Sequence, residues 1–69
     1  MRCFKIEYSK SPSEGTSVIN VLADSPYDAI KKAGLQNVWE YTVSECITRK
    51  LGSRFIVLSI ELIRHTGRR

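Results

Sequence analysis

The sequence predicts an α+β domain: one antiparallel sheet of four strands with one helix packed on a face, in the order ββαββ. Three observations carry that expectation. Residues 24–35, Asp-Ser-Pro-Tyr-Asp-Ala-Ile-Lys-Lys-Ala-Gly-Leu, are marked as a helix at both ends. The segments on either side alternate apolar and polar residues with a period of two, the pattern of half-buried strands. The length of 69 residues (7.9 kDa) allows one small core that buries only roughly 60% of the surface of the unfolded chain. The expected domain spans residues 1–64, and residues 65–69 read as a flexible basic tail.

Residues 2–8 place Phe4, Ile6 and Tyr8 on one side and Cys3, Lys5 and Glu7 on the other, so the first strand has one wet face. A loop rich in Ser, Pro, Glu and Gly follows over residues 9–16. Residues 17–23 read as the second strand, with Ile19, Val21 and Ala23 as the core set, against the competing neighbours Val18 and Leu22. In the helix, Ser25 is a preferred N-cap. Pro26 suits the first helical position, and Asp28 completes a Ser-x-x-Asp variant of the capping box. Lys31 and Lys32 suit the negative end of the helix dipole, Gly34 supplies a left-handed cap, and Leu35 can fold back onto Ile30. The apolar stripe comprises Ala29, Ile30 and Ala33, with Tyr27 at its margin.

In the third strand Trp39, Tyr41, Val43 and Ile47 share one parity, and Trp39 is assigned to the core with them. Glu45 breaks that pattern: either the strand twists into solvent there, or the face with Thr42, Ser44, Cys46 and Thr48 is the more buried one. Residues 49–53, Arg-Lys-Leu-Gly-Ser, read as a hairpin loop with Gly52 at positive φ. The last strand, residues 54–63, alternates Ile56, Leu58, Ile60 and Leu62 and carries Phe55, Val57 and Ile63 on its reverse. A strand apolar on both sides suits the inside of a sheet, so this one is expected at a central position.

Composition limits function more than it defines it. With 42% hydrophobic and 26% charged residues the chain is an ordinary folded domain rather than a disordered one. The longest apolar run, Phe55-Ile56-Val57-Leu58, is far short of the roughly 18 residues of a membrane span, so a soluble protein is expected. Cys3 and Cys46 each stand apart from other Cys or His. Without a signal peptide they read as reduced, packed thiols in a cytoplasmic protein, with a disulfide between them as the alternative. No motif for a metal, a phosphate loop or a nucleophile with its base is present, and the single His65 falls in the tail. No cofactor and no enzymatic activity are expected.

The net charge of +4 is unevenly placed: residues 1–47 hold five basic and six acidic side chains, residues 48–69 six basic ones against Glu61 alone. Such asymmetry makes a positive surface for phosphates or acidic protein faces, or merely a solubilising tail. The candidate partner-binding residues from this asymmetry are Arg49, Lys50 and Arg54 in the hairpin, with Arg64 at the other end of the last strand. Arg2 and Lys5 would join them if the first strand lay beside the last. The tail arginines Arg68 and Arg69 form a further cluster with Arg64, on the order of 30 Å from the hairpin along the strand. Tyr8 and Phe55 are a thin match to the stacking aromatics of RNA-binding sheets.

The extended strand, the Glu14-Gly15-Thr16 turn, the second strand, the Ala-containing basic helix and the second hairpin resemble the small anti-CRISPR inhibitors of type I-F systems over about residues 4–48. That resemblance implies a protein encoded by a virus or mobile element that binds a host RNA-guided surveillance complex and blocks or misdirects its DNA recognition, with Lys31 and Lys32 as contacts beside the hairpin cations. The first hairpin followed by Ala23-Asp24-Ser25-Pro26-Tyr27-Asp28-Ala29-Ile30 is similar to the strand-then-helix half of HicB-type antitoxins, and archaeal ribosomal LX proteins share the strand-pair, helix, strand-pair order. The expectation is a non-enzymatic small inhibitor of a host defence protein or nucleoprotein complex that acts through a basic surface. The alternatives are a stand-alone RNA- or DNA-binding module and a homodimeric structural or assembly protein that pairs through an open sheet edge.

Overall fold

A computed structural model describes residues 1–66. The elements run β1 (Arg2–Ser9), β2 (Ser17–Ala23), α1 (Pro26–Ala33), β3 (Glu40–Leu51) and β4 (Arg54–His65), the expected ββαββ order. They build an open sheet in the order β2-β1-β3-β4, every neighbouring pair antiparallel, with α1 packed on one face.

Both helix ends form as the sequence dictates. The Asp28 amide donates to Ser25 Oγ at 3.1 Å, Pro26 opens the first turn, and Gly34 sits at φ 70°. Beyond it the Leu35 amide donates to the Ile30 carbonyl at 3.1 Å and the Gly34 amide to that of Lys31 at 3.1 Å, the paired bonds of a Schellman end. At eight residues α1 is too short to persist alone and owes its stability to docking. Ala29, Ile30 and Leu35 close over Phe4, Ile6, Ala23 and Val43, and this set is the core. Tyr27 turns outward, 68% exposed, so the stripe is narrower than the sequence suggested. In β2, as the alternation predicts, Ile19, Val21 and Ala23 pack inward while Val18 and Leu22 are exposed.

Glu45 has a partner that explains its place among apolar residues. It shares the helix-side face with Phe4, directly across from it in register. Arg2 binds its carboxylate with both arms, Nε to Oε2 at 2.9 Å and Nη2 to Oε1 at 2.8 Å. The guanidinium also lies 5.0 Å from the centre of the Phe4 ring. Hydrogen bonding from Arg2, reinforced by its charge and opposed by burial, holds the Glu45 carboxyl below its ordinary range.

Three expectations about the second hairpin are corrected. The loop at 49–53 is a two-residue turn, Gly52-Ser53, so Arg49, Lys50 and Leu51 belong to β3 and Arg54 opens β4. Gly52, at φ 60°, supplies the left-handed residue that so short a turn needs. Second, β4 is an edge strand rather than a central one. Third, its alternation does not run unbroken. Val43 pairs with Ile63 but Ser44 with Glu61, which leaves Leu62 without a partner as a β-bulge. The bulge moves Ile63 to the core face, where it packs, and leaves Leu62 exposed. Nor does β1 lie beside β4, so Arg2 and Lys5 do not extend its positive surface; Lys5 pairs with Glu7 at 3.5 Å instead. β4 continues to His65, whose ring stacks on Tyr41 with centroids 5.1 Å apart. Trp39 is half-buried in the bend before β3 and stands outside the core set. Arg68 and Arg69 lie outside the described residues.

Candidate binding surface

The pairing of β1 with β3 stops at Phe4 and Glu45, whereas β3 and β4 stay paired from Cys46–Ser59 to Leu51–Arg54. Those six pairs form a two-stranded arm roughly 20 Å long at the usual rise per residue, which contributes to a molecule extending 46 × 22 × 17 Å. Helix α1 meets the sheet over β1, β2 and β3 and leaves the arm uncovered.

Alternation divides the arm into two faces. Ile47, Arg49, Leu51, Arg54, Ile56 and Leu58 continue the helix-side face; Cys46, Thr48, Lys50, Phe55, Val57 and Ser59 continue the opposite one. Both are apolar and wet: Phe55 is 69% and Val57 72% exposed, and Leu51 and Leu58 are exposed on the other side. The structure therefore gathers Arg49, Lys50 and Arg54 at one tip, with Arg49 and Arg54 on the same face and Lys50 on the reverse, its Nζ 5.9 Å from the centre of the Phe55 ring. Arg49 and Arg54 make no ion pair among the described residues.

The remaining candidates lie elsewhere. Arg64 sits at the far end of β4, opposite Thr42, with Nη2 2.8 Å from Glu61 Oε1. Lys32 is held at the helix, 3.8 Å from Asp28 and donating to the Leu22 carbonyl at 3.3 Å, while Lys31 is exposed beside it. A shallow cleft of about 240 Å³ lies between Tyr8, Glu40, Tyr41, Arg64 and His65. Among the described residues no three His, Cys, Asp or Glu side chains group as metal ligands, and no helix is long and apolar enough to cross a membrane.

Sequence reasoning singled out the arm's cations and missed its apolar residues. The run Phe55-Ile56-Val57-Leu58 was visible as a strand. That it lies on an edge, beyond the reach of the helix, depends on strand order, which pairing between distant segments decides. No family model matches the chain, and no curated protein or solved structure is similar to it.

Proposed function

We propose that this protein acts by binding rather than catalysis, as a small inhibitor-type module whose β3–β4 arm engages an acidic, partly apolar surface on a host protein or nucleoprotein complex. The observation that carries this reading is the combination on one projecting hairpin of exposed Leu51, Phe55, Val57 and Leu58 with Arg49, Lys50 and Arg54. Exposed apolar surface flanked by charge, here on both faces of the arm, is characteristic of protein interaction sites. Cations alone would serve a nucleic-acid backbone equally well, but phosphates leave the flanking apolar side chains uncovered. The resemblance to anti-CRISPR inhibitors, carried by sequence pattern, points to the same class of partner.

The test is capture from an extract of the organism or its host, with and without nuclease. Three variants accompany the native chain: Phe55→Ser with Val57→Thr; Arg49→Glu, Lys50→Glu and Arg54→Glu together; and Lys31→Glu with Lys32→Glu. The same protein is expected to be retained after nuclease, lost with either arm variant and kept with the helix variant. Retention by the arm variants removes the assignment. Loss on nuclease treatment transfers it to nucleic acid, where three phosphate contacts would give a log–log salt slope of about −3.

A second reading has its own observation. The six residues Phe55-Ile56-Val57-Leu58-Ser59-Ile60 are uncharged, lack Gly and Pro, and lie on the open edge of the sheet. Edges of that kind pair with other chains, and a second copy is always at hand, so self-association through β4 is the rival function. It predicts a sedimenting dimer that Leu58→Lys dissociates; a monomer at high concentration eliminates it.

A further inference from the structure

Cys3 and Cys46 are distant in sequence and neighbours in the sheet. On the β1–β3 ladder Phe4 faces Glu45. One step outward, the same register sets Cys3 of β1 against Cys46 of β3. Directly opposed residues in antiparallel strands have Cα atoms about 4.5–5.5 Å apart, inside the window of about 4.4–6.8 Å that a disulfide needs. Both cysteines are free and half-buried, on the face of the sheet away from α1. Burial first, and then the neighbouring Cys3 thiol, pushes the Cys46 thiol above its ordinary pKa. The location adds meaning: Cys46 is the first residue of β3 past its pairing with β1, the root from which the arm leaves the domain.

We propose that Cys3 and Cys46 are a reversible dithiol–disulfide site that staples the root of the arm to β1, with a low-molecular-weight disulfide as co-substrate. The Cys3 thiolate attacks one sulfur of the external disulfide, forming a mixed disulfide and expelling the first external thiolate, which takes up a proton from water. Cys46, held protonated by burial, is the resolving partner. It loses its proton to solvent and attacks the Cys3 sulfur, forming the internal bond and expelling the second external thiolate, which is protonated in turn. Two protein thiols are oxidised and one external disulfide is reduced to two thiols. Suppression of the Cys46 thiolate makes the reaction slow at neutral pH and faster as pH rises. Cross-linking removes the freedom of β3 to pivot against β1 at the point of departure. Control over partner engagement by this bond rests on the reading of the arm as the working surface; the bond itself does not.

The experiment exposes the folded chain to oxidised glutathione and follows alkylatable thiols and intact mass. Both thiols are expected to disappear together, with a mass decrease of about 2 Da in a monomeric chain, and to return on reduction. Cys3→Ser and Cys46→Ser each stop at a glutathione adduct or remain unmodified. The internal bond is expected to form about tenfold more readily in the folded chain than in urea, because folding holds the sulfurs at high effective concentration. The proposal is overturned if the folded chain yields only glutathione adducts or linked dimers. It is equally overturned if the folded chain resists a redox poise that oxidises the unfolded one, or shows no advantage over urea. The readout is the covalent bond, so a failure here is distinct from a failure of the arm to capture a partner.

Discussion

The two phenylalanines of this chain are alike in sequence, each within an alternating strand, and the structure sets them at opposite extremes. Phe4 is 0% exposed beneath α1, against Ile6, Val43 and Ile30, while Phe55 is 69% exposed on the arm. Truncating a buried phenylalanine costs about 3–5 kcal/mol, from lost transfer energy plus the cavity left behind. A 69-residue domain has a total stability of only about 3–10 kcal/mol. Phe4→Ala is therefore expected to remove from about a third to all of the folding free energy, and Phe4→Leu, which leaves a smaller void, a lesser part of it. Phe55→Ala loses only the exposed contact with Lys50 and should stay within about 0.5 kcal/mol of the native chain. Urea titration followed by circular dichroism at several protein concentrations measures all three. A loss above about 2 kcal/mol for Phe55→Ala would refute the description of the arm as uncovered. If that loss also grew with protein concentration, the cover would be a second copy.

Other expectations are local. Gly34→Ala places a side chain at φ 70° and should cost about 1 kcal/mol, or roughly 4–8 °C in Tm, with no steric clash to add, while Gly15→Ala, in open space, should change little in a thermal melt. Ser25→Ala removes the acceptor for the Asp28 amide, again about 1 kcal/mol, and Ser25→Asp restores most of it in the same melt. Because Arg2 depresses the Glu45 pKa, that pair stabilises the fold above the ordinary carboxylate range and its contribution is lost as pH falls through the depressed value; Glu45→Gln should flatten this part of the acid limb in pH-dependent urea titrations. The Cys46 thiol has the opposite sign: its contribution is complete below the ordinary thiol pKa and is lost as pH rises through the raised one, so Cys46→Ser should flatten the alkaline limb in the same titrations.

Local features of the fold were legible in the sequence, whereas those depending on distant pairing were not. The ends of α1 follow from Ser25, Pro26 and Gly34, whose preferences act within one turn. The inward set of β2 follows from Ala23, which leads directly into the helix and fixes the parity of Val21 and Ile19. Glu45 could not be placed, because its partner Arg2 lies at the start of another strand. The reversal at Leu62 was invisible for a similar reason: Ile60, Leu62 and Ile63 are interchangeable in character, and only the register against Val43 and Ser44 shows which is the extra residue. Two-faced apolarity in β4 suggested a central strand since burial is its usual cause; here it marks surface that the domain itself leaves bare. Of the candidate cations, Arg49, Lys50 and Arg54 fell together because a tight turn joins their strands, while Arg64, Lys31 and Lys32 were separated by the length of β4 and by the helix.

The end of the β1 pairing at Glu45 separates two properties, the integrity of the core and the reach of the arm. Everything distal to Cys46 and Ser59 is held by one partner strand and touches none of the core residues beneath α1. Adding two residues to each strand there would lengthen the projection by about 7 Å and preserve which side chains share a face. Adding one to each would exchange the faces, presenting Phe55 and Val57 on the side where Ile56 and Leu58 now stand. Insertions in steps of two would thus change the span of the arm while keeping the same small domain.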